Sequence, residues 1–456
     1  MTLIGKTREL DMVHGPMLKN IILFSLPLMA SMLLQMLFNA ADTIVVGHFA
    51  GDKALAAVGN TGSVIFLLTA LFFGLATGAN VVIANAIGAN DEQRVQKSVH
   101  TALSLSILCG ILSIFIGMTL SKSILTLIDT PADILDDSIL YMKLIFAGSI
   151  FILIYDFGAS ILRSKGDTKR PLYFLIISGI LNVLLNLLFV IVFRMSVAGV
   201  AIATVISHAV SALLVIVSLM KDTGVCHLDL RKLCLDREAV IRIIKIGVPA
   251  GIQGAAFALS NVVILSSINS FHSSKIVAGN TAASNIENFV YIGMDSFSAA
   301  VMTFTSQNIG AKNYENIKKI MTKTLLIDVI FTFGLGLLAY LGADFFLGLY
   351  SDDPEVIAVG TIRLFYVAMF LFLNGILDVF VSSLRGMGYS TSPTVIMLLG
   401  VCLFRLLYLW FYFPGHQTLD VIYAVFPVSW ILTSIALLIQ WIVVYRKVMS
   451  AASLKS

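Results

Sequence analysis

Charge is scarce in this 456-residue chain: Asp, Glu, Lys and Arg together make 12% of it, against about 25% in a soluble globular domain. That shortage excludes an ordinary water-soluble fold, and with it a broad basic face for nucleic acid. Cysteine is scarce too. None of Cys109, Cys226, Cys234 and Cys402 has metal-ligand spacing with another, so no zinc site is expected. Cys109 and Cys402 sit in apolar stretches as packing residues, while Cys226 and Cys234 fall in a polar linker placed in the cytoplasm, where thiols stay reduced. There is no His-Glu-x-x-His, no Walker sequence and no nucleophile elbow with triad partners, which argues against an enzyme and against direct drive by ATP. No catalytic residue and no organic cofactor are expected. His48, His100, His208 and His272 are isolated and read as structural. The first apolar run is too long for a cleavable signal peptide.

What the chain has is oil. Hydrophobic residues make 58% and the mean hydropathy is +0.95, so the expectation is an all-α polytopic membrane protein. A span needs about 20 apolar residues, and about twelve can be read. Six lie near 18–47, 55–87, 95–127, 133–162, 171–193 and 197–220. Six more lie near 240–270, 276–308, 315–348, 355–384, 393–413 and 419–445. Lys6, Arg8, Arg94, Arg163, Lys165, Arg231, Lys319, Arg385, Lys447, Lys455 and most of the other basic residues collect at one set of ends. Lys53, Lys122, Lys143, Arg194, Lys275 and Arg363 fall at the other set, and Arg405 alone is placed inside a span. Basic loops stay inside, so both termini are predicted to be cytoplasmic.

The sequence repeats. A shift of 222 residues lays Pro27 on Pro249, Asn39 on Asn261, Asp156 on Asp378, Arg163 on Arg385, Gly166 on Gly388 and Ser207 on Ser429. Six spans per repeat, both starting inside, make parallel repeats, and the sites of secondary transporters lie at repeat interfaces. The expected organisation is an N-lobe over 1–220, a linker over 221–238 and a C-lobe over 239–456.

Against the oil, the polar residues stand out. Ser31, Gln35, Asn39 and Asp42 are spaced by four, four and three, one face of a helix. An acid at membrane depth costs about 2.5–3.5 kcal/mol on insertion scales and marks a functional site by default. Asp42 is therefore the leading candidate for a coupling cation. The fifth span adds Ser178, Asn182 and Asn186 at four-residue spacing, and the sixth adds Thr204 and Ser207. Amides and hydroxyls here also serve simply to join helices. In the second half, Asn280, Ser284, Glu287, Tyr291 and Asp295 share one face of the eighth span; Asn374 and Asp378 lie on the tenth and Arg405 on the eleventh. Gln35, Asn39, Glu287, Tyr291, Asp295, Asn374, Asp378 and Arg405 are the candidate substrate residues. Arg405 reads either as part of an ionisable cavity or as the fixed counter-ion of Asp378 or Glu287. Asp328 has no polar neighbour at helical spacing and receives no role. Pro27 and Pro249 interrupt the first helix of each half and read as hinges or as static bends.

Several stretches resemble the multidrug and toxic compound extrusion (MATE) transporters of Gram-positive bacteria. They are Asp42-Thr-Ile-Val-Val-Gly47, Ala54-Leu-Ala-Ala-Val-Gly59, Leu162-Arg-Ser-Lys-Gly-Asp-Thr-Lys-Arg-Pro171, Val197 to Ser207, Gln307-Asn-Ile-Gly-Ala311 and Leu384-Arg-Gly-Met-Gly388. The resemblance implies two six-helix lobes and a monomer in the bacterial plasma membrane. It implies efflux of amphipathic organic cations in exchange for Na⁺ or H⁺. It makes Asp42 the ion-binding acid, with Asn182 and Thr204 as partners in a Na⁺ site. Asn186 stands where many relatives carry a second aspartate. Asp378 resembles the tenth-helix acid, and Glu287 stands in for a glutamate absent from Leu259-Ser260-Asn261. A lipid-linked glycan flippase is the alternative within the same architecture. It calls for a strongly basic cavity, whereas the intramembrane acids here outnumber Arg405.

Overall fold

The computed structural model describes residues 10–453, so Lys6, Arg8 and Lys455 lie outside the described residues. Every regular element among these residues is helical. Ten continuous helices are long and apolar enough to cross a bilayer. In the first half these are α1 (Met17–Ala50), α2 (Asp52–Gly88), α3 (Glu92–Leu127), α5 (Lys169–Val192) and α6 (Ser196–Met220). In the second half they are α7 (Arg237–Asn269), α9 (Tyr314–Leu341), α10 (Pro354–Gly386), α11 (Thr391–Gly415) and α12 (Leu419–Ala451). The fourth span, α4, is broken: Leu135–Ala147 and Ser149–Ser164 meet at Gly148 with a 45° bend. A further long helix, α8 (Ser274–Gly310), runs for 37 residues. Its polar face of Asn280, Glu287 and Asp295 keeps it below the hydropathy of the others. The twelve-helix expectation therefore holds, with one span bent and one unusually polar.

Chain packing groups the described helices into two units. One holds residues 30–251, and the other holds residues 12–29 with residues 252 onward. The change of unit falls between Met29 and Ala30 in α1, and between Gly251 and Ile252 in α7. Both points lie just past the repeat-related prolines Pro27 and Pro249, which sit inside continuous helices.

Within each unit the repeat reappears as packing. In the first, α7 lies so close to α2 that a Cβ on Gly74 would collide with the Gly247 carbonyl and Gly251 backbone. In the second, the pair at the same repeat positions is Ser25 and Ser296, whose Oγ and carbonyl are 3.4 Å apart. Gly166 and Gly388, also repeat mates, take φ of +92° and +88° where α4 and α10 end, the left-handed closure glycine makes cheaply.

The polar linker is not loose. Gln96 donates to the Val225 carbonyl (2.7 Å), the Asp229 N–H to His100 Nε2 (3.1 Å) and the Asp236 N–H to Thr101 Oγ1 (3.0 Å). These bonds fasten the linker to the start of α3 and bury Cys226 and Leu228. Asp353 caps α10 by accepting from Glu355 N–H (2.9 Å), and Lys275 Nζ lies 2.9 Å from it. The Lys275 bond first, and the cap second, hold the Asp353 carboxyl below its ordinary range.

Four π-helical turns interrupt the spans: Val46–Ala50, Leu187–Val192, Leu364–Ala368 and Leu398–Leu403. Such turns add one residue to the helix and re-aim side chains, often at functional sites. Asp42, Asn186, Arg363 and Arg405 each stand within a turn of one of them.

Candidate functional site

Asp42, Asn182, Asn186 and Thr204, chosen from three separate spans, come together. Asn186 Nδ2 donates to Asp42 Oδ1 and also to Asn182 Oδ1 (3.2 Å). Asn182 Nδ2 in turn reaches Thr204 Oγ1 (3.4 Å). The four-residue spacing of Asn182 and Asn186 stacks them on one face of α5. Gly179, one turn earlier, lets the ring of Phe38 from α1 lie directly over α5, where a Cβ would occupy the ring's place. That close approach brings Asp42 to Asn186.

One atom of the cluster is left over. Asn186 Oδ1 is buried and has no hydrogen-bond partner, a costly condition for a polar group. The oxygen donors here are a carboxylate, two amides and a hydroxyl, the hard set suited to Na⁺, and a carboxylate can equally carry a proton. The residues fit a monovalent cation. No grouping of three or more His, Cys, Asp or Glu able to hold a metal occurs among the described residues.

The cluster opens on a cavity of about 460 Å³ in the first unit. Phe38, Phe66, Phe73, Tyr141 and Tyr155 give it aromatic walls, and Gln35, Asn39, Asp42, Asp156 and His208 supply polar groups. Gln35 and Asn39 therefore accompany Asp42 rather than the C-lobe residues with which they were grouped.

The second unit has its own cavity, of about 580 Å³. Glu287, Tyr291, Asp295, Asn374 and Arg405 line it together with Asn261, Asn285 and Asn288. The repeat is visible at this depth: Asn39 and Asn261 line corresponding cavities, and Ile264 stands where Asp42 would be. Asp378, by contrast, does not line the cavity.

Two sequence readings are corrected here. Arg363, counted as a charge at the outer ends, is a buried residue of α10. It grips Glu287 with Nε on Oε1 (2.9 Å) and Nη2 on Oε2 (2.7 Å), and its Nη1 donates to Asn280 Oδ1 (2.6 Å). Glu287 thus has its counter-ion, so Arg405 does not serve it. Nor does Arg405 form an ion pair with Asp378 or any other described acid. Its Nε donates to Ser429 Oγ (3.0 Å), and its guanidinium lies 4.4 Å from the Phe426 ring centre and 5.6 Å from that of Trp430.

Sequence reasoning passed over Asp328. It is completely buried in α9, and neither carboxyl oxygen has a hydrogen-bond partner. Gly375 of α10 makes room for it, and its electrostatic neighbours are Asp378 and Asp295. The available signal was a lone acid in an apolar run; the missing signal was any same-face partner, because the neighbours come from other helices.

Comparison with known proteins adds family context. The MatE family profile matches twice, over residues 27–188 and 249–411, one match in each sequence repeat. Among curated relatives, the probable multidrug resistance protein YoeA of Bacillus subtilis is 28% identical over 386 residues, covering 83% of each chain. The multidrug export protein MepA of Staphylococcus aureus is 22% identical, covering 84% of this chain and 85% of its own. Among solved structures, an outward-facing multidrug resistance MATE family transporter of the MOP superfamily superposes with a TM-score of 0.90 at 21% identity. That match covers 98% of this chain and all of the other, a likeness of fold.

Proposed function

Because this chain belongs to the MatE family, we propose that it is a multidrug efflux antiporter of the bacterial plasma membrane, exporting amphipathic organic cations in exchange for Na⁺ or H⁺. The coupling cation is held at Asp42, with Asn182, Asn186 and Thr204 as partners. One observation carries this reading: Asp42, a membrane-depth carboxylate lining an aromatic cavity, is hydrogen-bonded to Asn186, whose own buried Oδ1 is unused. A carboxylate that only joined helices would not need its charge, and the apolar rings suit the flat bodies of amphipathic compounds.

Cation occupancy at Asp42 favours one conformation of the transporter and substrate favours the other, so each weakens binding of the other. Pro27 and Pro249 act as hinges, since each removes one helical hydrogen bond beside the point where its helix passes from one unit to the next. The protein acts as a monomer with both termini cytoplasmic. The glycan flippase reading is disfavoured by the second cavity: its two bases, Arg363 and Arg405, are matched in number by two acids, Glu287 and Asp295, so the cavity lacks the strongly basic lining that pyrophosphate requires. Transport of a fluorescent cation into proteoliposomes, under sodium and proton gradients applied separately, tests the proposal and identifies the coupling ion.

A further inference from the structure

Arg405 is 5% exposed and lines a polar cavity at membrane depth, yet no described carboxylate pairs with it. The contrast with Arg363 in the same cavity is instructive. All three Arg363 nitrogens are engaged by Glu287 and Asn280. Arg405 spends only Nε, on Ser429. Its two Nη groups, the fork end of the guanidinium, have no acceptor among the described residues. The rings of Phe426 and Trp430 hold the guanidinium by cation–π contact, which fixes its plane and offsets part of its charge but supplies no acceptor. A buried cation in a membrane protein is costly and ordinarily faces a functional cavity. A second unused group lies in the same wall: Ser260 Oγ is buried, has no partner and lines the cavity.

We propose that the cavity of the second unit contains an oxyanion subsite, in which the free Nη fork of Arg405 receives a carboxylate carried on an aromatic substrate. A planar guanidinium with two free parallel donors matches a carboxylate bidentately. Phe257 and Tyr291, half-buried in the lining of the same cavity, offer rings on which the aromatic body of the ligand stacks. Asp295, open to the same cavity, takes a cationic group on the same molecule. The cavity therefore selects compounds bearing both charges over compounds bearing only the positive one. Arg405 is a specificity residue in this assignment, and the subsite rests on the efflux reading only in taking the cavity as a substrate site.

The probe is a pair of xanthene dyes of identical ring system, one with a free carboxylate and the other its methyl ester. Their equilibrium binding to the purified full chain in detergent is followed by fluorescence polarisation. The wild type is expected to bind the acid about tenfold more tightly than the ester, the scale of charge-assisted hydrogen bonds. Arg405→Gln is expected to bring the acid and ester affinities together, with monodisperse elution on size-exclusion chromatography reporting that the variant is folded. Ser260→Ala, a milder change, is expected to reduce the preference without abolishing it.

Equal affinity for acid and ester in the wild type overturns the subsite, as does failure of both dyes to bind. A preference that survives Arg405→Gln overturns it as well. If Arg405→Gln does not fold, the wild-type comparison together with Arg405→Lys decides, a folded lysine variant with undiminished preference counting against the fork. Dye transport is scored separately in proteoliposomes. Intact acid preference without any transport contradicts the efflux reading and leaves the subsite standing.

Discussion

Arg363 and Glu287 face each other across α10 and α8 through two parallel hydrogen bonds of 2.9 and 2.7 Å, both side chains almost wholly buried. Asn280, held in turn by the Tyr423 hydroxyl at 3.1 Å, completes the arginine's shell. Removing one partner of such a pair leaves an uncompensated buried charge and costs about 3–5 kcal/mol, whereas removing both is far milder. Glu287→Gln is therefore expected to lower the thermal unfolding temperature sharply, and the double variant Glu287→Gln/Arg363→Gln to recover much of the loss. Thermal denaturation in detergent measures this. Unchanged stability in the single variant would mean that the pair is not the structural clamp described here.

Asp328 calls for the opposite expectation. Both of its oxygens are buried without a partner, and an ionised carboxylate in that condition is unfavourable. Asparagine has nearly the same volume and no charge. Asp328→Asn is expected to leave the free energy of unfolding unchanged or to raise it, by about 1–3 kcal/mol at most. A clear loss of stability would show that the carboxylate makes a contact the fold depends on.

The approach of α7 to α2 permits no side chain at Gly74, because the Gly247 carbonyl and Gly251 backbone fill the space. Backbone cannot step aside as a side-chain end can. Gly74→Val is expected to destabilise by about 1–3 kcal/mol or more, read as loss of monodisperse protein on size-exclusion chromatography. Gly59→Ala, in the same helix with nothing near its Cβ, serves as the control and is expected to be neutral or slightly stabilising.

Much of this architecture was legible because a membrane chain makes polarity conspicuous. The stripe through Asp42 and the paired amides on α5 could be found by helical spacing alone, and the structure brings them together. Apolar runs supplied the span count, and the 222-residue repeat supplied the matched positions Asn39 and Asn261. What could not be read were relations between helices. Arg363 lay near a span end, where hydropathy does not separate a loop charge from a buried one. Asp328 had no same-helix companion. The break in α4 at Gly148 has no proline to announce it, and the four π turns leave no mark in a 3.6-residue periodicity. The polar linker was expected from composition, but its attachment to α3 depends on Gln96, His100 and Thr101, over a hundred residues away.

The central claim is that Asp42 couples cation to substrate. Asp42→Asn preserves shape and the Asn182–Thr204 contact but removes the charge. The decisive measurement is fluorescent-cation transport by reconstituted Asp42→Asn protein under an imposed sodium or proton gradient, alongside equilibrium binding of the same dye. The account predicts that gradient-driven transport falls by at least tenfold while dye binding persists and no longer responds to the coupling ion. Coupled transport at the wild-type rate, with dye binding still responsive to the ion, would contradict it.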